Sequence, residues 1–453
     1  MLHENLSVMI RETVILFSIL ILFKSVGLGQ NQKIIDSLKH QLIIAERIAI
    51  QAKKEADRRR YLSLAQSIAE SSLEVRDLEL SNLLAIQASN FNMKYGGYRY
   101  NPKIHHALTK ALLKSHRLPA EIQDSPKTSK QILTPTNATF LLSLGNDGVL
   151  TRLTQQDEQW RSDFVVKVNT KQKIQALAIN DSGDLLAVGG TSGSIEVYNL
   201  NNPLQKPEIV NLGSKMIDQI VFSPKEKGFF VLVNKGLQIL YCDMKKSKEV
   251  VTLKARIVAI GISEDKLHLV GLNIQGFLHV WSLNDFSEGV LTRVMSENAP
   301  TVLLSRFRDT YFIGNDVGEI RIITEGYVRR VLWNSTYPIT NIQFSHDNKL
   351  MAASSQDNSI LIWNMEALKE KPIVIPNQDV INGFAFSPDD NFIVFNCSQL
   401  SSDSKSMTLR VWPLRCAQMT AMLCGSIKRN LTKEEWEIYV AEDLPIEAIC
   451  HRE

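Results

Sequence analysis

The sequence predicts a mainly β fold of seven repeated four-stranded units, preceded by an N-terminal α-helical segment and followed by a short tail. Three observations carry this. A large apolar or aromatic residue recurs every 40 to 49 positions from Leu153 to Trp412. From about residue 118, short runs rich in Val, Ile, Leu and Phe alternate with Gly/Asn/Asp/Ser turns. Upstream, residues 33–115 are rich in Ala, Leu, Glu, Lys and Arg, with no proline before Pro102, which is helical composition. The expected organisation is a signal peptide over 1–29, a heptad helix over 30–60, a small helical bundle over 61–117, the repeats over 118–414 and a tail over 415–453.

Val14 to Phe23 (VILFSILILF) carries no charge and is bounded by Arg11 and Lys24. A bilayer-spanning helix needs about 20 apolar residues, and ten match the core of an export signal. Small residues follow at Ser25, Gly27 and Gly29, so cleavage is expected between Gly29 and Gln30. The mature chain would then sit in the periplasm or cell envelope, an oxidising space. An uncleaved segment acting as a membrane anchor is the alternative.

Ile35, Leu38, Leu42, Ala45, Ala49, Ala52 and Ala56 alternate steps of three and four, a heptad seam. It predicts a coiled-coil-like helix that dimerises, docks on a partner or packs on its own domain. Arg58-Arg59-Arg60 reads as a solvated face. Helical spacing continues through Tyr61, Leu64, Ile68 and Leu73. A further helix fits Leu80 to Phe91 and stops at Gly96-Gly97, and another starts at the cap Asn101-Pro102. His105 and His106 are adjacent and cannot chelate together; they read as surface or packing residues.

In the repeats, a turn residue usually stands five positions before the anchor. The pairs are Gly148/Leu153, Gly193/Tyr198, Gly236/Tyr241, Gly276/Trp281, Gly318/Ile323, Asn358/Trp363 and Met407/Trp412, with Met407 the exception as no turn former. Upstream lies a second recurring element: Val221-Phe-Ser-Pro224, Gln343-Phe-Ser-His346 and Ala385-Phe-Ser-Pro388. These residues resemble the WD40 repeat family, which the period and strand count suit. The resemblance implies a seven-bladed β-propeller over about two thirds of the chain. No Gly-His dipeptide occurs and no anchor Trp or Tyr is followed by Asp, so the family's polar tetrad is incomplete; only Asp147, Asp316 and Asp357 match part of it. Blade stability is therefore expected to rest mainly on apolar packing between neighbouring sheets. The last unit has three clear strands, so Leu118 to Asp124 is the expected closing strand. Tyr61 to Val75, Leu83 to Gly97 and Leu423 to Val440 also resemble the linker and tail around WD40 repeats in bacterial STAND-type signalling ATPases. Their nucleotide loop is missing: Gly271 and Gly276 are followed by Phe277, not Lys.

Chemical motifs are few. Gly190-Thr191-Ser192-Gly193 is a turn in phase with the repeat, no H-E-x-x-H or C-x-x-C occurs, and Asp389-Asp390 follows Ser387-Pro388 as turn chemistry. No catalytic, cofactor-binding or metal-ligating set is assigned. His268 and His279 are expected on neighbouring strands as a structural pair. Cys242 and Cys397 read as buried thiols. Cys416, Cys424, Cys450 and His451 are spaced too loosely for zinc; a Cys424–Cys450 bridge fits an exported chain, with Cys416 as the competing partner. Lys+Arg 51 against Asp+Glu 48 argues against a dedicated nucleic-acid binder. The expected function is a non-catalytic scaffold or sensor of the bacterial envelope, meeting protein partners through the loop faces and capable of homodimerising through the heptad helix. A lactonase-like or hydrolytic enzyme of the central channel and a cytosolic signalling regulator are the alternatives.

Overall fold

The computed structural model describes residues 31–450, apart from 116–119, 123–128, 136–138, 146, 157–158, 169–172, 225–227, 244–246, 290, 296–297, 306–309, 334–335 and 399–406. The expected signal and its Gly29/Gln30 junction lie outside the described residues, as does His451. The chain divides into two units, one of residues up to Ala107 with Ser426 onward, the other Leu108–Gly425.

In the helical unit, α1 (Asn31–Glu74) is one unbroken helix of 44 residues, so the boundary expected at residue 60 is not a break. No Gly or Pro stands between Asp57 and Leu64 to interrupt it. It is followed by α2 (Leu78–Lys94), whose first turn is capped by the Asp77 carboxylate accepting from Leu80 N at 2.6 Å. The arginine run is not simply solvated. Arg58 donates to the carbonyls of Tyr95 and Gly96 at 3.1 and 3.0 Å, satisfying the end of α2, and Arg60 meets Asp443 at 2.6 Å. Tyr61 stacks on Tyr95 with centroids 3.9 Å apart. α3 (Pro102–Lys114) begins here, with the Asn101 side chain accepting from Lys103 N; His105 is buried and His106 exposed.

The tail from Ser426 onward belongs to this unit. Its helix, numbered α5 (Lys433–Tyr439), carries a complete capping box from Thr432 and Glu435. Trp436 is buried edge-on to Phe91, and Arg429 bridges Glu435 and Glu79 at 2.7 and 3.1 Å. The amino-terminal half of α1 is different. Leu42, Ala45 and Ala49 are half-buried, Ala52 and Ala56 exposed, and Ile48 and Ile50 are each 57% exposed. Among the described residues no helix is long and apolar enough to cross a membrane.

The second unit is a seven-bladed β-propeller, each blade a four-stranded antiparallel sheet. Blades 1 to 6 occupy residues 129–167, 174–211, 217–252, 257–293, 300–333 and 339–375. Blade 7 takes three strands from 380–413 and its fourth from Ala120–Glu121, which pairs with Val411 and Arg410. The closing strand thus falls within the segment expected, and Ile122 N donates to Leu409 O at 3.0 Å beside it. After blade 7 comes α4 (Cys416–Cys424).

The repeat is regular below the level of strands. The first strand of every blade carries a bulge near its start, from Ser129/Gln131 in blade 1 to Ile381/Gly383 in blade 7. First strands neighbour one another around the centre, as 217–222 lies beside both 174–179 and 257–262. Blade 3 is tied to blade 4 at one end by Ile257 N donating to Gly236 O at 2.8 Å, while Leu212 N to Gly193 O and Val294 N to Gly276 O, at 2.8 and 2.9 Å, join the outer strand to the turn within blades 2 and 4. Gly236 is required there, because its φ is +83° and a Cβ would lie 2.0 Å from Ile257 O.

Candidate interaction faces of the propeller

All seven anchors occupy one register position on the third strand, opposite an apolar residue of the second. The pairs are Leu153 with Leu141, Tyr198 with Leu186, Tyr241 with Phe230, Trp281 with Leu269, Ile323 with Tyr311, Trp363 with Met351 and Trp412 with Ile393. Six are buried and Tyr241 half-buried. Trp281 packs with Phe230, Leu232, Ile239, Ile257 and Ile260, so it belongs to the layer between blades 3 and 4. Six of the turn residues five positions upstream have φ between +66° and +83°. Met407 differs: it opens the third strand of blade 7, paired with Ser398.

Polar networks absent from the sequence reading support the blades where the tetrad is missing. In blade 4, Asn273 Nδ2 meets His279 Nε2 at 3.1 Å, His279 Nδ1 meets Glu288 at 2.6 Å, and the ring stacks on Trp281. In blade 5 the same corner is built from Asn315, Glu319 and Arg321, with Asn315 Nδ2 donating to Glu319 at 2.9 Å. The shared signal is an Asn at the end of the second strand. His268 and His279 do not form a pair: His279 lies opposite Gly271, three rungs from His268, whose partner is Asp265 at 3.2 Å. In the Asp389-Asp390 turn, Asp389 bonds within its own turn, to Ser387 and Asn391, while Asp390 reaches across to blade 6. Asp390 accepts from His346 N and Asp347 N at 2.8 and 2.9 Å. Burial acts to raise its carboxyl, but these bonds and the His346 ring hold it below the usual range.

Cys242, Cys397 and Cys416 are free and buried. Burial pushes the Cys242 and Cys416 thiols up to about 12, so neither is a ready nucleophile at neutral pH. Cys424 and Cys450 are disulfide-bonded cysteines. Among the described residues no group of three His, Cys, Asp or Glu side chains could hold a metal.

The face carrying the turns between second and third strands is called the turn face. A cavity of about 400 Å³ opens there at the centre, spanning blades 3 to 6. Its polar lining is Asp218, Gln219, Lys235, Arg256, Thr301 and Asn341. The Asp218 carboxylate accepts from Gly236 N at 2.9 Å; burial moves its pKa up, against that bond and one from Lys235. Gln219 joins blades 3 and 4, donating to Ile260 O at 2.9 Å and accepting from Ile260 N at 2.8 Å. At the opposite face a cavity of about 190 Å³ is lined by Thr134, Phe344, His346 and Phe386.

Residues 327–364, the outer strand of blade 5 and three strands of blade 6, match the sequence model of the WD40 family, described as WD domain, G-beta repeat. The fold is a WD40-type β-propeller. It is similar to the WD40 β-propeller domain of Doa1, with a TM-score of 0.53 and 12% identity over 65% of this chain and 96% of that one. It is also similar to the β-propeller domain of Cps50 (Swd1) from Myceliophteria thermophila, with a TM-score of 0.54 and 13% identity over 65% of this chain and 99% of the other. No curated protein matches the chain.

Proposed function

We propose that this chain is a non-catalytic protein-interaction scaffold of the cell envelope. The observation that carries the reading is the closed WD40-type ring. Its strands are spent on one another and on neighbouring sheets, leaving loops on a rigid frame as the surface presented to partners. WD40 propellers typically serve as such scaffolds. The central cavity favours binding over hydrolysis, because the one carboxylate lining it among the described residues, Asp218, is already held by backbone N–H groups.

The envelope location rests on the uncharged Val14–Phe23 run, the small residues up to Gly29 and the disulfide-bonded state of Cys424 and Cys450, which an oxidising compartment maintains. Pairing these two closes a loop of roughly 25 residues and adds about 3.5 kcal/mol by constraining the unfolded chain. The test is intact mass of the protein from fractionated cells. The expected form lacks residues 1–29, is found in the envelope fraction, and gains about 2 Da on reduction. A full-length cytosolic form with five free thiols would overturn the location. A full-length form in the membrane pellet would replace the cleaved signal with an anchor.

The exposed half of α1 supports homodimerisation through the heptad seam. Along it, half-buried Leu42, Ala45 and Ala49 and exposed Ala52 and Ala56 offer one leucine and a run of small residues for close approach. Light scattering of the purified chain should give twice the monomer mass, and Leu42→Asp with Ala49→Asp should return the monomer. A wild-type monomer at tens of micromolar would exclude this role.

A further inference from the structure

The turn face is electrically divided, and the division is centred on its cavity. Exposed or half-exposed cations stand on consecutive loops of blades 2 to 4: Lys173, Lys215, Lys235, Lys254 and Arg256. Backbone hydrogen bonds connect those loops, Thr191 N to Lys173 O, Asn234 N to Met216 O, Ile257 N to Gly236 O and Ile274 N to Arg256 O. The corresponding turns of blades 1, 5 and 6 carry Asp147, Asp316 and Asp357. Lys235 and Arg256 both line the cavity, and a Cβ on Gly236 would lie 3.1 Å from Arg256 Cγ, so the arginine stem crosses the turn that presents the lysine.

That turn is unusual. Asn234 and Lys235 both have left-handed φ, +58° and +57°, whereas the matching described residues Asp147, Ser192, Gln275, Val317 and Asp357 do not. Holding a lysine there costs backbone energy that a glycine would avoid. The cavity wall beneath is aliphatic, from Leu232 and Leu304, and Asn341 supplies an amide on the far side.

We propose that the basic quadrant of the turn face, centred on Lys235 and Arg256, docks an acidic peptide segment of a partner protein, with an acidic side chain entering the central cavity. This rests on the scaffold reading and names the chemistry of its partner. Charge complementarity selects the occupant: five cations stand on the loops of this sector, two of them lining the cavity, and among the described residues the one lining carboxylate, Asp218, accepts from Gly236 N. A peptide is favoured over a nucleic acid, because a longer polyanion would run onto the turns bearing Asp316 and Asp357 and the whole chain is only +3.

The experiment uses the full chain and a fluorescent twelve-residue peptide of alternating glutamate and leucine, followed by anisotropy. Binding is expected at low salt and should weaken as salt rises. Lys235→Glu with Arg256→Glu should weaken it at least about tenfold. Lys369→Glu with Lys371→Glu, on the opposite face, should change it less than about twofold. The neutral pair Lys235→Gln with Arg256→Gln should be intermediate, and circular dichroism should show every variant folded. Absence of binding at low salt, equal losses from both faces, or tighter binding of single-stranded DNA of equal charge would overturn the proposal. The scaffold reading fails separately, if crosslinking in cells captures no protein from any propeller face.

Discussion

Trp281→Ala should destabilise the propeller by about 3–5 kcal/mol, the range for truncating a fully buried aromatic. The indole is 1% exposed, stacks on His279 and packs against side chains of blades 3 and 4, so its loss opens a void between two sheets. Urea unfolding should show a lower midpoint with little change in slope. A second substitution tests the cause. Gly271 lies under the ring, and a Cβ there would sit 2.8 Å from Trp281 Cζ3. Gly271→Ala should therefore be harmful in the wild-type chain and much milder beside Trp281→Ala, giving a coupling of about 1 kcal/mol or more. A loss under about 1 kcal/mol for Trp281→Ala, or equal cost of Gly271→Ala in both backgrounds, would show that the anchor does not hold the blades together.

The same contacts explain what could be read in advance. The repeat was legible because blades 1 to 6 each place a positive-φ turn residue five positions before a buried or half-buried anchor, and both leave residue-type signatures, as in Gly276/Trp281 and Asn358/Trp363. The closing strand was legible from a deficit, since the last unit had three strands and an open edge must be covered. The return of the tail to the helical unit was not. Arg429 and Glu79, or Arg60 and Asp443, stand more than 340 residues apart, and neither residue type announces so distant a partner. The basic quadrant was hidden for a related reason. Its five cations are scattered over 84 positions, from Lys173 to Arg256, and become neighbours only when the ring stacks successive loops. Likewise, the missing tetrad suggested mainly apolar packing, because substitutes such as Asn315–Glu319–Arg321 follow no familiar motif.

Ring closure gives the second large effect. Among the described residues, blade 7 holds its borrowed strand by two paired residues, Ala120 and Glu121, together with the Ile122 hydrogen bond. Opposite Glu121 stands Arg410, whose side chain is 13% exposed. Its guanidinium meets Asp379 at 2.9 Å, donates to Asn377 Oδ1 at 2.8 Å and lies 3.6 Å from Glu121. One cation thus joins the closing strand, the third strand of blade 7 and the loop entering that blade. Removing it leaves the Asp379 carboxylate, 18% exposed, without its charge partner. Arg410→Ala should accordingly cost about 2–4 kcal/mol, near the lower part of the range for breaking a buried pair because water reaches Glu121. Hydrogen exchange at the Ile122 amide should accelerate, reporting release of the closing strand before the other blades open. Asp379→Asn should restore part of the loss in Arg410→Ala, since the stranded charge is then gone. If Arg410→Ala leaves both the unfolding midpoint and Ile122 exchange unchanged, closure rests on the two-residue ladder and the apolar contacts of Ile122 and Val411, and the cation is dispensable.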